Sequence, residues 1–169
     1  LRAGAALFPA NLIMLVISPL AGRASARVGP RVLMTSGAAV AAVGMVLFAR
    51  VQPGTSYLTT TLPATVVFGL GLATLDTQLT STVLAAVKQS DTGIASGINN
   101  AIARLAGLIA TAALPLAAGI GGTAKLEGAA FAAGYTRAML ISAGLCAAGA
   151  LVALVTVRHG SPVRRRVTK

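Results

Sequence analysis

The chain has 169 residues, of which 56% are hydrophobic and only 10% charged, with a mean hydropathy of +0.83. That balance excludes an ordinary soluble domain, in which about a quarter of the residues are charged. Fourteen Lys and Arg face three acids, Asp76, Asp91 and Glu127, for a formal charge of +11. The basic residues fall between apolar runs and are not interleaved with aromatics, so they read as charges that orient a membrane protein, and no nucleic-acid partner is expected.

In chain order, five segments are long and apolar enough to be membrane-spanning helices: about 3–21, 32–49, 62–87, 93–118 and 134–157. A hydrocarbon core of about 30 Å takes about 20 residues of helix, and in lipid every backbone amide must find its partner within the segment. The fold class is therefore an all-α membrane protein with five transmembrane helices in one partial bundle, residues 1–157, followed by a basic tail, 158–169. Pro63 suits the first turn of the 62–87 helix, whereas Pro9 and Pro115 fall inside their segments and predict kinks. The chain opens at Leu1 and enters an apolar segment at once, so further sequence upstream is expected.

The connections set the orientation. Arg23, Arg27, Arg31, Lys88, Arg158, Arg164, Arg165, Arg166 and Lys169 make nine basic residues on one side, against four, Arg2, Arg50, Lys125 and Arg137, on the other. The positive-inside rule places the nine in the cytoplasm, with the C-terminus inside and the first residue outside. Tyr57, Phe131 and Tyr135 then fall near the outer ends, where interfacial aromatics belong. The expected location is a multi-pass position in the cell (plasma) membrane, with the lipid bilayer as the first partner.

Polar residues are unevenly shared. The 32–49 and 134–157 segments have no ionisable group in their middle turns, and the 3–21 segment has only Asn11 and Ser18. The 62–87 segment holds Asp76, Thr77, Gln78, Thr80, Ser81 and Thr82, and the 93–118 segment holds Ser96, Asn99, Asn100 and Arg104. The two polar segments are expected to face protein or water, and 32–49 and 134–157 to face lipid. Asp76 and Arg104 each lie about 10 residues, or ~15 Å, from the cytoplasmic end of their helix. A charge at that depth costs about 2.5–3.5 kcal/mol on insertion scales, so each needs a partner or a watery cavity. Periodicity puts Gly69, Ala73, Asp76 and Thr80 on one face and Gly97, Asn100, Arg104 and Gly107 on another. Where those faces meet, Asp76 and Arg104 form an intramembrane ion pair; the other readings are a proton-exchanging Asp76 in a cavity, and an Arg104 that snorkels to water.

Catalytic chemistry has little to work with. Cys146 is the single cysteine and lies in LISAGLCAAGAL, while the single histidine, His159, is in the tail. With three acids besides, no metal cluster and no nucleophile–base pair is expected, hence no enzyme activity, no metal and no cofactor.

Three stretches carry a family likeness. GRASARVGPR resembles the G-x-x-x-D-R-x-G-R-[KR] loop of the major facilitator superfamily, matching at Gly22, Arg27, Gly29 and Arg31, with Ala26 at the aspartate position and Pro30 at the second arginine position. TGIASGINNAIARLAGLIATAALP resembles the penultimate helix of its fourteen-span drug:proton antiporters, and FAAGYTRAML resembles the start of their last helix. The resemblance implies the last five helices of the six-helix C-terminal bundle of such a transporter. It also implies a cytoplasmic gating role for the loop, a role that the missing aspartate weakens. The function implied is proton-coupled efflux of drugs or metabolites by alternating access, with a small-molecule substrate, protons and the absent N-terminal half as partners. Asp76, Arg104, Gln78, Thr80, Asn99 and Asn100 are the candidates for proton coupling or cavity lining. The alternative is a membrane-embedded structural or assembly partner, or a truncated product without transport activity.

Overall fold

The computed structural model describes Leu15, residues 28–120 and residues 128–157. Over these residues the chain forms four long helices, α1 (Pro30–Phe48), α2 (Leu62–Ala85), α3 (Thr92–Ala117) and α4 (Ala129–Thr156). All four are long and apolar enough to cross a membrane, and no strand is present among the described residues. At 1.5 Å per residue the shortest, α1, spans about 28 Å, close to the thickness of a hydrocarbon core. The expected 3–21 segment and the 158–169 tail lie outside the described residues.

Local chemistry explains the helix ends. Gly29 precedes α1 at φ 86°, a backbone setting that side chains resist, and Pro30 then opens the helix where its missing N–H costs nothing. A π-helical turn, Tyr57–Thr61, leads into α2. There the Leu62 N–H reaches back to the Tyr57 carbonyl, and this wider turn gives room for the Pro63 ring, which in a tight α-turn presses on the carbonyl four residues back. The helical path thus starts before the 62 expected from hydropathy.

A 3-10 turn, Gln89–Asp91, leads into α3, with the Thr92 hydroxyl donating to the Gln89 carbonyl at 3.0 Å. α3 ends on Gly119 at φ 76°. The Ile120 N–H bonds the Pro115 carbonyl at 2.9 Å and the Gly119 N–H bonds the Leu116 carbonyl at 3.1 Å, the paired bonds of a Schellman ending. α4 starts at Ala129, earlier than the expected 134, because Gly134 does not break the helix. It is buried against Ile120, and any side chain at 134 would collide with the Ile120 Cγ2 methyl.

The packing reverses one expectation. α1, placed at the lipid-facing periphery by its lack of polar residues, is the central helix and packs against both α2 and α4. Its stripe Gly37, Ala41 and Gly44 meets Phe68, Gly71 and Leu75 of α2 so closely that a Cβ on Gly71 would run into the Ala41 backbone nitrogen and lie 2.8 Å from the Gly37 carbonyl oxygen. On the other side small α4 residues, Ala138, Ala143, Ala150 and Ala153, are buried. Lipid removes the hydrophobic drive between helices, so shape decides, and small residues that let backbones approach gain dispersion contacts that polarity cannot reveal. At one end of the α1–α2 pair Phe48 and Phe68 pack edge to face with centroids 6.0 Å apart; toward the other the Thr82 hydroxyl lies 3.7 Å from Met34 Sδ. α3 touches α2 and α4 only lightly and has no buried residue.

Candidate transport site

Two stripes on α2 separate the sequence-derived candidates. Gly71, Leu75, Gln78 and Thr82 recur at helical spacing, and three of them face α1: Gly71 and Leu75 against Gly37, Thr82 against Met34. Gln78 is on the same stripe and is fully buried, at 0% exposure. Its side chain therefore lies among the packed helices in this structure, and its backbone carbonyl accepts the Ser81 hydroxyl at 3.0 Å. The burial follows from the glycine spacing of this face; the 71, 75, 78, 82 periodicity is the signal that could have assigned it.

The second stripe is Gly69, Ala73, Asp76 and Thr80. Gly69 and Ala73 are buried, whereas Asp76 and Thr80 are exposed, so this face is covered in its first half and opens at the aspartate. Neighbouring Thr74 and Thr77 turn their hydroxyls back to the carbonyls of Leu70 and Ala73, each at 2.8 Å. They satisfy themselves within the helix and leave Asp76 as the polar group that projects.

On α3, Asn100 and Arg104 are exposed and Asn99 is partly covered. Gly93, Gly97, Asn100, Arg104, Gly107 and Thr111 form one stripe by spacing, and a Cβ built on any of those glycines would meet nothing within 4 Å. Arg104 sits at the middle of the helix. The structure does not bring Asp76 and Arg104 into an ion pair among the described residues: both are exposed, on helices that touch only lightly. What they share is depth. α2 and α3 are joined by the short 86–91 connection, and both charges fall in the middle turns of their helices.

The loop-signature positions divide. Gly29 and Arg31 lie at the start of α1, Gly29 with the positive φ described above and Arg31 partly buried; Gly22 and Arg27 lie outside the described residues.

At the opposite end of the helices the structure adds contacts that hydropathy cannot show. The Gln52 side-chain amide donates to the Thr136 hydroxyl at 3.2 Å, and that hydroxyl also lies 3.0 Å from the Ala132 carbonyl and 3.4 Å from the Ala49 carbonyl. One side chain of α4 thereby holds the end of α1 and the turn after it. The Arg137 guanidinium lies beside Gly119, with Nη1 3.7 Å from where a Cβ there would sit. A cation so placed opposes the negative end of the α3 dipole. Its only sequence signal is a basic residue near the start of one helix, following closely on the end of another.

Comparison with known proteins gives one relationship of weight. No protein-family model matches the chain, and no solved structure matches it. The chain is 31% identical over 168 residues to a puromycin resistance protein of Streptomyces alboniger, an alignment covering 91% of this chain and 33% of the relative. It therefore spans about a third of the length of the curated relative it matches. The chain is a homologue of a drug-resistance protein, and its described part is a set of apolar helices of membrane-spanning length.

Proposed function

We propose that the chain is part of a transmembrane secondary transporter of the major facilitator type that exports drugs or related metabolites. The observation that carries this reading is the 31% identity to a puromycin resistance protein across 91% of the chain. Four helices of spanning length and the absence of strands among the described residues agree with it. On this reading the five expected spans belong to the C-terminal bundle of a fourteen-span drug:proton antiporter, in the cell membrane and with the C-terminus cytoplasmic. Further sequence supplies the other half of an alternating-access cycle around a midplane site.

Within that cycle Asp76 is the proposed proton-exchanging group. It is the one acid within the long helices among the described residues, and it lies on a face that opens to its surroundings. Arg104, at similar depth on α3, is the proposed counter-charge that meets Asp76 in that cycle. Thr80, Asn99 and Asn100 supply neutral hydrogen-bonding groups beside apolar walls, an arrangement suited to a lipophilic substrate with a few polar atoms. Gln78, being buried, is assigned to the scaffold. No enzymatic step, metal or cofactor is part of the proposal.

The test is accumulation of puromycin and of a lipophilic fluorescent cation in drug-sensitive bacteria expressing the intact gene product. Expression is expected to lower accumulation, and a protonophore to restore it. Asp76→Asn is expected to abolish the protonophore-sensitive part while the protein remains in the membrane at wild-type level. Unchanged coupling in that variant would remove Asp76 from the proton path. Membrane-inserted intact protein that leaves accumulation unaltered would favour a structural or assembly role.

A further inference from the structure

α3 is held at its last residues more firmly than along its length. Toward its start Thr92, Ala95 and Asn99 are partly covered, and every residue from 100 to 113 is exposed. Burial is reached beyond the last turn, at Ala118, which is 1% exposed.

There Ile120 sits on Gly134 of α4. A Cβ at 134 would collide with the Ile120 Cγ2 methyl and lie 3.5 Å from both the Ile120 Cβ and the Ala118 carbonyl oxygen. Glycine at this position is therefore a notch that lets the end of α3 reach the α4 backbone. The contrast is with Gly93, Gly97 and Gly107 on α3 itself, where a Cβ would meet nothing within 4 Å.

Both parts of this joint are stiff. Ile120 is branched at Cβ, which restricts its χ1. The Schellman ending fixes its backbone, through Gly119 at φ 76° and the bonds from the Gly119 and Ile120 N–H groups back into α3. Gly134 belongs to a helix that packs along α1, with Ala138, Ala143, Ala150 and Ala153 buried. Arg137, on the same helix, lies beside Gly119 and opposes the negative end of the α3 dipole. The joint thus ties a helix with an uncovered middle to the packed α1–α4 pair.

Leverage makes this local contact matter to the polar stripe. Arg104 lies about 20 Å back along the helix from Ala117, at 1.5 Å per residue. A tilt of about 6° at the end of α3 moves a group at that distance by about 2 Å, more than a hydrogen bond of about 3 Å tolerates.

We infer that Ile120 and Gly134 are positioning residues: seated together, they fix the end of α3 on α4 and thereby set where Asn100 and Arg104 stand. The consequence for activity rests on the transport reading, in which those two residues serve proton coupling or line the cavity. The joint itself does not depend on that reading.

The experiment uses the intact protein in lipid nanodiscs, in a Cys146→Ser background. Spin labels on Val43→Cys of α1 and Ile98→Cys of α3, both exposed positions, report where α3 stands. A second pair, Val43→Cys with Leu140→Cys of α4, reports the α1–α4 pair. Electron–electron double resonance reads both distances, and drug accumulation reads transport. Gly134→Ala is expected to shift the 43–98 distance and leave 43–140 unchanged. It is also expected to lower efflux at least about tenfold, since misplacement by about 1 Å can cost a reacting site about a hundredfold. Adding Ile120→Ala makes room for the new methyl and is expected to bring back both the 43–98 distance and most of the efflux.

An unshifted 43–98 distance in Gly134→Ala, an equal shift of 43–140, or no recovery in the double variant would overturn the positioning role. Full efflux at a shifted distance would overturn it as well. The shift and its recovery, seen in a protein whose wild type exports no drug, would overturn the transport reading and leave the joint standing.

Discussion

α1 and α3 are both long and apolar enough to cross a membrane, yet they sit in the structure in opposite ways. α1 has Leu33, Met34, Gly37, Ala38, Ala41 and Gly44 buried, whereas α3 has no buried residue. Both helices carry glycines at helical spacing. The difference is that those of α1 meet a matching glycine, Gly71, on α2, while those of α3 alternate with Asn100 and Arg104 and meet nothing. Small residues create close packing only when the facing helix is small at the same height. A polar stripe in an apolar helix marks a surface whose partner is something else: a cavity, or a chain that offers polar groups.

The largest effect that sharpens this contrast is Gly71→Leu. A Cβ at Gly71 already collides with the Ala41 backbone, and backbone cannot step aside as a flexible side chain does. The variant is expected to lose about 3 kcal/mol or more, the upper range for overpacking, measured by denaturant unfolding in detergent micelles. Gly107→Leu on α3 is the paired control, since open space surrounds that position and leucine is the better helix former. Similar destabilisation by the two would erase the distinction between packed and uncovered helix.

Arg104→Leu addresses the polar stripe of α3. If the stripe faces a cavity or polar partner in the assembled protein, the substitution should stop transport there. The same change should raise the ratio of inserted to non-inserted α3 segment at least about tenfold, because a charge at the helix centre is what opposes insertion. Glycosylation-reporter insertion measures the second effect and drug accumulation the first. Better insertion with full transport would mean that Arg104 has no partner and no role in the pathway.

Much of this contrast is hidden from a reading of polarity. Runs of about 20 apolar residues place the helices because lipid leaves the backbone no alternative. Depth can be counted too, which is why Asp76 and Arg104 are recognisable as groups in the middle turns. Azimuth cannot be had from polarity alone. It assigns α1 to the lipid, although Gly37, Gly44 and Gly71 bring its backbone into close contact with α2. It also groups Gln78 with Asp76, whereas in the structure Gln78 is buried and Asp76 exposed, two positions along a helix turning a side chain to the opposite flank. The π-turn at Tyr57–Thr61 was illegible for a different reason, since one hydrogen bond displaced by a single residue separates it from an ordinary turn.

Gln78 offers the next smaller effect. Gln78→Ala removes a fully buried amide from the α1-facing stripe, leaving a void and taking away the interaction that this side chain makes. A loss of about 1–3 kcal/mol is expected by the same unfolding assay. Transport per folded molecule should change little, whereas Asp76→Asn should change coupling with little effect on stability. Lost coupling in a stable Gln78→Ala protein would return this residue to the transport pathway.

The smallest effect is expected at the other end of the helices, from Thr136→Val. The substitution keeps the shape of the side chain and removes the hydroxyl that accepts from Gln52 and lies against the Ala49 and Ala132 carbonyls. Gln52 is exposed, so water replaces the lost partner and the cost should stay near 0.5–1 kcal/mol, about the net worth of one hydrogen bond. The effect should nevertheless be local and directional. Faster amide hydrogen exchange is expected at Ala49–Thr55, where α1 ends and its turn begins, with unchanged exchange across Gly37–Gly44, because the glycine contact with α2 holds that part of α1 by itself. Faster exchange along all of α1 would show that this hydroxyl, and not the glycine stripe, keeps the central helix in place.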